Sequence, residues 1–485
     1  MFHYIFASIG MYLLLRYLKQ NKITSIFSAI LFSFSPYMIA YLVHGHGSQI
    51  MTAAYIPWIV LFLFRIYNKV TLFNFTFFSI LIGLQLQRGH IQIAYYTWMV
   101  VGFYFMWSLG VNIKIRTLSL KTGLYPLISL AAGIALALCM VSDPYLEIYK
   151  FQEHSNRGSL SVLDNTGQTD TGADWNYATQ WSFHPKETIS LIYPYYFGLQ
   201  NSNNLDRGAY WGFMPFTQST HYLGLVSIIF AILGALIRKP DKTESVFWAI
   251  TFLTLITGFG SHFSILYKPF YFFLPFFSKF RIPSMIYILL AITIPILGSI
   301  GLDKFINKSN DENTFKKVIY IIAGIGGFTI ILLMFGETFL SFNSSSDTRY
   351  NPNILKQLYN ARVSLFNKGL FLNIVLLLGI FGLIWSLVSK KINKTLFSYF
   401  LLLLSILDLW IINSEFMNIK PALNMDRKFK ETPIIKFLNN RQERFRIFPA
   451  DDPQLRSNHF SYWNIESIGG YRPIKLRNYQ DLMDA

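Results

Sequence analysis

Residues 285–302 read MIYILLAITIPILGSIGL, eighteen positions without an aspartate, glutamate, lysine or arginine. As a helix rising 1.5 Å per residue, the stretch is about 27 Å long, close to the ~30 Å hydrocarbon core of a bilayer. Comparable stretches recur on both sides of it. Twelve spans are expected by length and apolarity, at about 1–17, 23–43, 53–68, 72–87, 91–109, 124–141, 222–237, 246–259, 285–302, 318–335, 370–388 and 395–412. The whole chain agrees: 53% of its 485 residues are hydrophobic, only 14% are charged, and the mean hydropathy is +0.36. A soluble protein carries about a quarter charged residues. The composition therefore excludes an ordinary soluble enzyme or nucleic-acid binder, despite a net charge of +17. The single cysteine, Cys139, excludes an intrachain disulfide and a cysteine-based metal cluster.

The basic residues give an orientation. Eighteen of the 42 lie in alternate short connections: Arg16, Lys19 and Lys22; Arg65 and Lys69; Lys114, Arg116 and Lys121; Arg238, Lys239 and Lys242; Lys304, Lys308, Lys316 and Lys317; and Lys390, Lys391 and Lys394. The positive-inside bias places these loops in the cytoplasm. Residues 142–221, the 260–284 and 336–369 loops, the tail and both chain ends then face outward. The expected organisation is N-terminal membrane helices (1–141), a long extracytoplasmic loop with interfacial helices (142–221), C-terminal membrane helices (222–412) and an extracytoplasmic soluble region (413–485). An outward start without a basic leader region predicts that the chain begins inside a longer protein. The tail is expected to be incomplete as well.

The outward segments carry pattern of their own. Residues 142–221 hold eight carboxylates against four cations, net −4, together with Trp175, Trp181, Trp211 and many tyrosines. Amphipathic aromatic runs of this kind favour the membrane interface. HFSILYKPFYFFLPFFSKFRIPS (262–284) is too aromatic and proline-broken for a clean span and reads as re-entrant or interfacial. In the tail RFRIF (444–448) alternates as a strand, and NYQDLMDA (478–485) opens a helix. The fold class expected is an all-α polytopic membrane protein of about 12 transmembrane helices with an α+β extracytoplasmic region.

Candidate chemistry gathers on the outer face. HGHGSQ (44–49) sets His44 and His46 around a glycine, as site lining or as interfacial histidines in a tight turn. QLQRGHIQ (85–92) adds Arg88 and His90; the guanidinium fork suits phosphate, and it also snorkels readily to headgroups. Arg281 in SKFRIP would join them at the same face. Glu187, in HPKETISL, reads as a catalytic acid or a first-turn helix acid. Asp143, in VSDPYLE, reads as catalytic or as helix-terminal turn chemistry. Asp408 lies inside the last span, where an ionisable residue is a functional candidate or a capped carboxylate. GIGG (324–327) inside a span implies close helix packing. No phosphate-binding glycine loop, dinucleotide fingerprint or zinc-protease motif occurs, and no metal ligand set or cofactor is assignable. Chemistry outside the cytoplasm without nucleotide implies a membrane-borne donor.

Several segments together resemble the bacterial YfhO family of large membrane proteins: AYLVHGHGSQIMTAAYIPWI (40–59), Arg157–Gly158, YATQWSFHPKETISLIYPYYFG (177–198), YWGFMPFT (210–217), FSKFRIPSM (277–285) and SIGGYRPIKLRNYQDLMD (467–484). The resemblance implies a GT-C glycosyltransferase-like protein in the bacterial cytoplasmic membrane. It would transfer a sugar from a polyprenyl-phosphate donor to an envelope glycopolymer or other surface acceptor on the extracytoplasmic face. It implies catalytic roles for Glu187 and Asp143, phosphate contacts for Arg88, Arg281 and Arg157, and polar lining by His44, His46 and His90. It also implies an essential acid in a loop that would precede this chain, and a basic residue where Gln49 stands. The alternatives from composition are a transporter or lipid flippase, or a non-catalytic envelope-assembly scaffold. The lipid bilayer is a partner in every reading, and nucleic acid in none.

Overall fold

The structure, a computed structural model, describes residues 1–156, 158–159, 162, 175–199, 209–217, 220–417, 429–450, 457–471 and 474–484. The chain divides into two units. The first comprises Met1–Val141, Thr179–Leu274 and Arg281–Asn418, and the second Ser142–Ala178, Pro275–Phe280 and Ile419–Ala485.

The first unit opens with α1 (Phe2–Tyr17), α2 (Lys22–Ser33), α3 (Pro36–Val43), α4 (Gly47–Ala53), α5 (Ile56–Asn68), α6 (Leu72–Gln87), α7 (Ile91–Lys114) and α8 (Tyr125–Met140). Proline sets one of the breaks: Pro36 cannot continue a helix, and Ser35 caps α3 by accepting from the Met38 N–H. α2 and α3 thus form one broken span. The second unit holds α9 (Ser142–Gln152) and α10 (Trp175–Ala178). The first unit resumes with α11 (Leu225–Ile237), α12 (Lys242–Gly258), α13 (Ser264–Phe273), α14 (Leu290–Asn307), α15 (Glu312–Phe339), α16 (Pro352–Val388) and α17 (Lys394–Ser414). The second adds α18 (Pro433–Asn439) and α19 (Arg477–Asp484).

This is an all-α polytopic membrane protein. Among the described residues seven helical segments are long and apolar enough to cross a bilayer: 22–43, 47–68, 120–140, 283–307, 312–339, 352–388 and 394–414. The α12–α13 pair, bent by 111° at its break, makes an eighth if counted as one span. The twelve expected spans are thereby reduced. α6 has 16 residues and α11 has 13, giving helices of about 24 and 20 Å against a ~30 Å core.

The opening stretch becomes the centre. Residues 283–302 carry no charged side chain and are buried on every side. α14 crosses α11 at very close range. A Cβ built on Gly301 would lie 1.8 Å from the Phe230 carbonyl oxygen, and one on Gly234 would lie 2.5 Å from the Gly301 Cα. Small residues permit such backbone approach where lipid offers no hydrophobic drive between helices. Leu31, Ile229, Phe230, Phe305, Ile380 and Leu401 extend this core to α2, α16 and α17. GIGG is a different case. At Gly324 and Gly327 on α15 nothing lies within 4 Å of an added Cβ, and at Gly326 only Leu377 does, at an ordinary 3.7 Å, so the closest helix approach occurs instead at Gly234 and Gly301.

The basic connections meet at one end of α14. Lys304 pairs with the buried Glu244 and donates to the Gly234 carbonyl (3.0 Å). Asp303 accepts from the Asn21 backbone N–H (2.7 Å), and Lys317 donates to the Leu236 carbonyl (2.9 Å).

In the second unit a small core of Ile435, Phe460 and Ile465 is packed by Phe445 and Trp463. The α+β expectation for this region is not met among the described residues. RFRIF makes only an isolated bridge, Ile447 to Ser467, and the other bridge joins Ser155 and Leu476. Arg444 and Arg446 both turn to Glu466 (2.9 Å each), so the cationic side of the alternation meets a carboxylate rather than a neighbouring strand.

Candidate functional site

The site is built on the break between α12 and α13. α12 ends at Gly258, whose carbonyl accepts from the Phe183 N–H (2.9 Å) instead of continuing the helix. Ser182 Oγ accepts from the Ser261 N–H (3.0 Å). Gly260, at φ +50°, fits because a Cβ there would sit 2.1 Å from Ser182 Oγ. Residues 182–184 are thus laced to 258–261, and His184 meets His262 edge-on at 4.8 Å between ring centroids. His184 also stacks on Phe213 at 3.8 Å, while its Nδ1 accepts from the Lys186 N–H (3.1 Å), which leaves Nε2 to carry the proton in the neutral ring. Partial burial, then His262 and Lys186, hold this imidazole below its ordinary pKa.

Glu187 follows in a short 3₁₀ turn, Pro185–Leu191, capped by His184. Its side chain is 2% exposed. One carboxyl oxygen accepts from the Phe213 N–H (2.8 Å) and the other from the Tyr210 hydroxyl (2.9 Å). Tyr210 in turn accepts from the Met214 N–H (3.1 Å). Glu187 therefore fixes the 210–214 turn. Burial raises its pKa from 4.5 to about 7, against the opposing pull of these donors. Beside it lies a cavity of about 20 Å³, lined by Glu187, Tyr210, Thr220 and His221 among others, with room for one water. His221 is buried among Phe183, Tyr287 and Tyr37, and burial lowers it to about 4, so the ring is neutral. Its Nδ1 has no hydrogen-bond partner among the described residues.

Arg281 adjoins this cluster. Its guanidinium lies 4.7 Å over the Trp181 ring and hydrogen-bonds the Gln180 side chain, and its carbonyl accepts from Gln92 Nε2 (2.6 Å). The Ser284 N–H donates to the Trp181 carbonyl (3.4 Å). Arg281 is thus tied through Trp181 to the segment that carries His184 and Glu187.

The remaining sequence candidates sit elsewhere or in plainer roles. His90 caps α7, its Nδ1 accepting from the Ile93 N–H (3.4 Å). Arg88 is half-buried and donates to the Leu84 carbonyl (3.4 Å), within electrostatic reach of His3 and Tyr55. His44 is exposed in the turn between α3 and α4, and His46 meets Tyr41 edge-on at 5.7 Å. Gln49 is fully buried and donates to Tyr37, so the position thought to favour a base points into the core. Asp143 is an exposed first-turn acid of α9, in the second unit. Arg157 lies outside the described residues. Asp408 is fully buried: it accepts from the Tyr222 hydroxyl (2.8 Å) and the Leu225 N–H (3.2 Å), closing the N-terminus of α11, and has no ion pair among the described residues. His184, Tyr210, His221 and His262 were not singled out in the sequence. The local cues are the segments that hold them: the first three fall in or beside the YATQWSFHPKETISL and YWGFMPFT motifs, and His262 opens the 262–284 segment.

No family model, curated protein or solved structure matches the chain. Among the described residues no cluster of three or more histidine, cysteine or acidic side chains is arranged to hold a metal ion. The functional reading therefore rests on the chemistry of the cluster.

Proposed function

We propose that the chain is a GT-C-like membrane glycosyltransferase. It transfers a sugar from a polyprenyl-phosphate donor to an envelope acceptor on the extracytoplasmic face of the bacterial cytoplasmic membrane. The observation that carries this reading is the meeting of His184 and His262 at the α12–α13 break, with Glu187 three residues on from His184 and Arg281 over the adjoining Trp181, at the opposite end of the 283–307 span from the basic loops. Glu187, with a pKa near 7 and a one-water cavity beside it, suits a base that takes the acceptor proton through a water. Arg281 supplies a planar cation for the departing phosphate. His184 and His262 offer polar edges for hydroxyl groups. Asp143 and Arg157 keep the roles implied by the family resemblance, as an acid and a phosphate contact.

The test is transfer from a radiolabelled polyprenyl-phosphate sugar by the protein in liposomes. Glu187→Gln is expected to lower turnover by about 10²-fold or more while donor binding persists. Arg281→Ala is expected to lower both donor affinity and turnover. Wild-type rates in both variants would sink the assignment. A carrier or lipid flippase is the second reading, favoured by Asp408 inside the last span. Counterflow of a soluble sugar that stops in Asp408→Asn would support it instead.

A further inference from the structure

α13 has only ten residues, about 15 Å of helix, which is half the thickness of a hydrocarbon core. It follows α12 after a 111° bend, so it cannot complete that helix's crossing in the same direction. Its one buried side chain is Tyr267. At about 100° per residue, Ile265 and Phe272 lie within about 20° of each other, and Tyr267 points to the opposite side. Phe273 stands at the flank of the same stripe. These three apolar side chains are 74%, 62% and 83% exposed. Lys268, also exposed, borders the stripe.

A short helix with an apolar stripe edged by lysine is built to lie in a membrane surface. We propose that α13 is a bilayer-contacting helix, seating Ile265, Phe272 and Phe273 among lipid acyl chains with Lys268 against anionic headgroups. Two features choose lipid over a protein partner. α13 follows α12 directly across the bend, and α12 presents its own exposed Phe252. The stripe carries a cation and no carboxylate, matching anionic headgroups. His262 lies at the start of the bend, so the helix would fix the level of the His184–His262 pair relative to the bilayer surface. This inference rests on the membrane fold alone and is independent of the transferase reading.

The experiment is site-directed spin labelling in a Cys139→Ser background, in vesicles of phosphatidylethanolamine with phosphatidylglycerol. Ile265→Cys, Phe272→Cys and Phe273→Cys labels are compared for collision with oxygen, which partitions into lipid, and with a water-soluble nickel chelate. Met334→Cys, on the exposed side of α15, is the lipid reference, and Lys186→Cys, outside the spans, is the aqueous one. Oxygen dominance at 265, 272 and 273, with the nickel reagent favoured at Lys268→Cys, is expected. In Lys268→Glu the depth at 272 should decrease, and only when phosphatidylglycerol is present. Nickel dominance at all three apolar positions would overturn the proposal, and so would exclusion of both reagents, the sign of a covering protein surface. The unsubstituted protein gives a parallel reading. A lipid-tail diazirine, once photolysed, should modify the 264–273 peptide, and absence of adducts there alongside labelling of α15 would refute it.

Discussion

Glu187 and His221 line one cavity, and their titrations act on stability in opposite senses. Glu187 has a folded pKa near 7, above its ordinary 4.5, so the folded state holds the extra proton between those values. Its contribution is full below about pH 4.5 and is lost as pH rises toward 7. His221, lowered to about 4 from 6.5, loses stability instead as pH falls from 6.5 toward 4. The two partly cancel in the wild type. Glu187→Gln removes the first while its amide can still serve Phe213 and Tyr210. Relative to wild type, the variant should gain roughly 3 kcal/mol between pH 4.5 and 8. Thermal unfolding in detergent across that range checks this, and a pH-independent difference would contradict the raised pKa. Asp347 behaves differently. Burial would raise its pKa, but the Arg362 guanidinium and the Ser344 N–H more than offset it and hold it below the ordinary value. Arg362, 1% exposed, forms a two-pronged pair with this carboxylate (2.7 and 2.8 Å) and donates to the Phe342 carbonyl. Asp347→Ala strands a buried cation and should cost about 3–5 kcal/mol, measured as a lower melting temperature. The sequence marks Glu187 as a catalytic acid or a first-turn acid, but not its partners. Tyr210 and Phe213 lie 23 and 26 residues along the chain, and nothing local ties them to it. His184 and His262 meet only because α12 breaks where it does.

At the level of helices, length and apolarity were readable, and closeness was not. The 285–302 stretch announced a membrane helix, but its glycines became meaningful only once α11 lay against them. Gly301→Ala places a methyl group against the Phe230 carbonyl, so the helices must separate, at a cost of about 1–3 kcal/mol. Gly324→Ala meets open space on α15 and should be neutral or stabilising by up to about 1 kcal/mol, as helix propensity favours alanine. Melting temperatures of the two variants in one detergent give the comparison, and equal shifts would deny the special role of the α11–α14 crossing. The overcount of spans has a related cause. Hydropathy registers apolar residues whether they face lipid or protein, so α11, nine of whose 13 residues are buried, scored as a span despite being too short to cross alone.

Across the whole first unit, charge and chemistry separate along α14. Asp303 and Lys304 gather the connections at 21 and 234–244 at one end, and Lys317 joins them through the Leu236 carbonyl. Arg281 and Pro283 begin the other, where the α12–α13 break assembles the imidazoles and the buried carboxyl. From Pro283 to Asp303 the span rises about 30 Å, the thickness of a hydrocarbon core and enough to separate two aqueous phases. On the proposed topology the Asp303–Lys304 end meets the cytoplasm, because lysines and arginines in short loops resist translocation. Lys186 and Lys239 are both exposed and report the two ends. In a Cys139→Ser background, a membrane-impermeant maleimide should label Lys186→Cys in intact cells. It should label Lys239→Cys only after the membrane is opened. The reverse pattern would invert the molecule and place Glu187 and Arg281 in the cytoplasm. An outward-facing polyprenyl-phosphate donor could not reach them there, so the transferase proposal would fail while the helical fold stood unchanged.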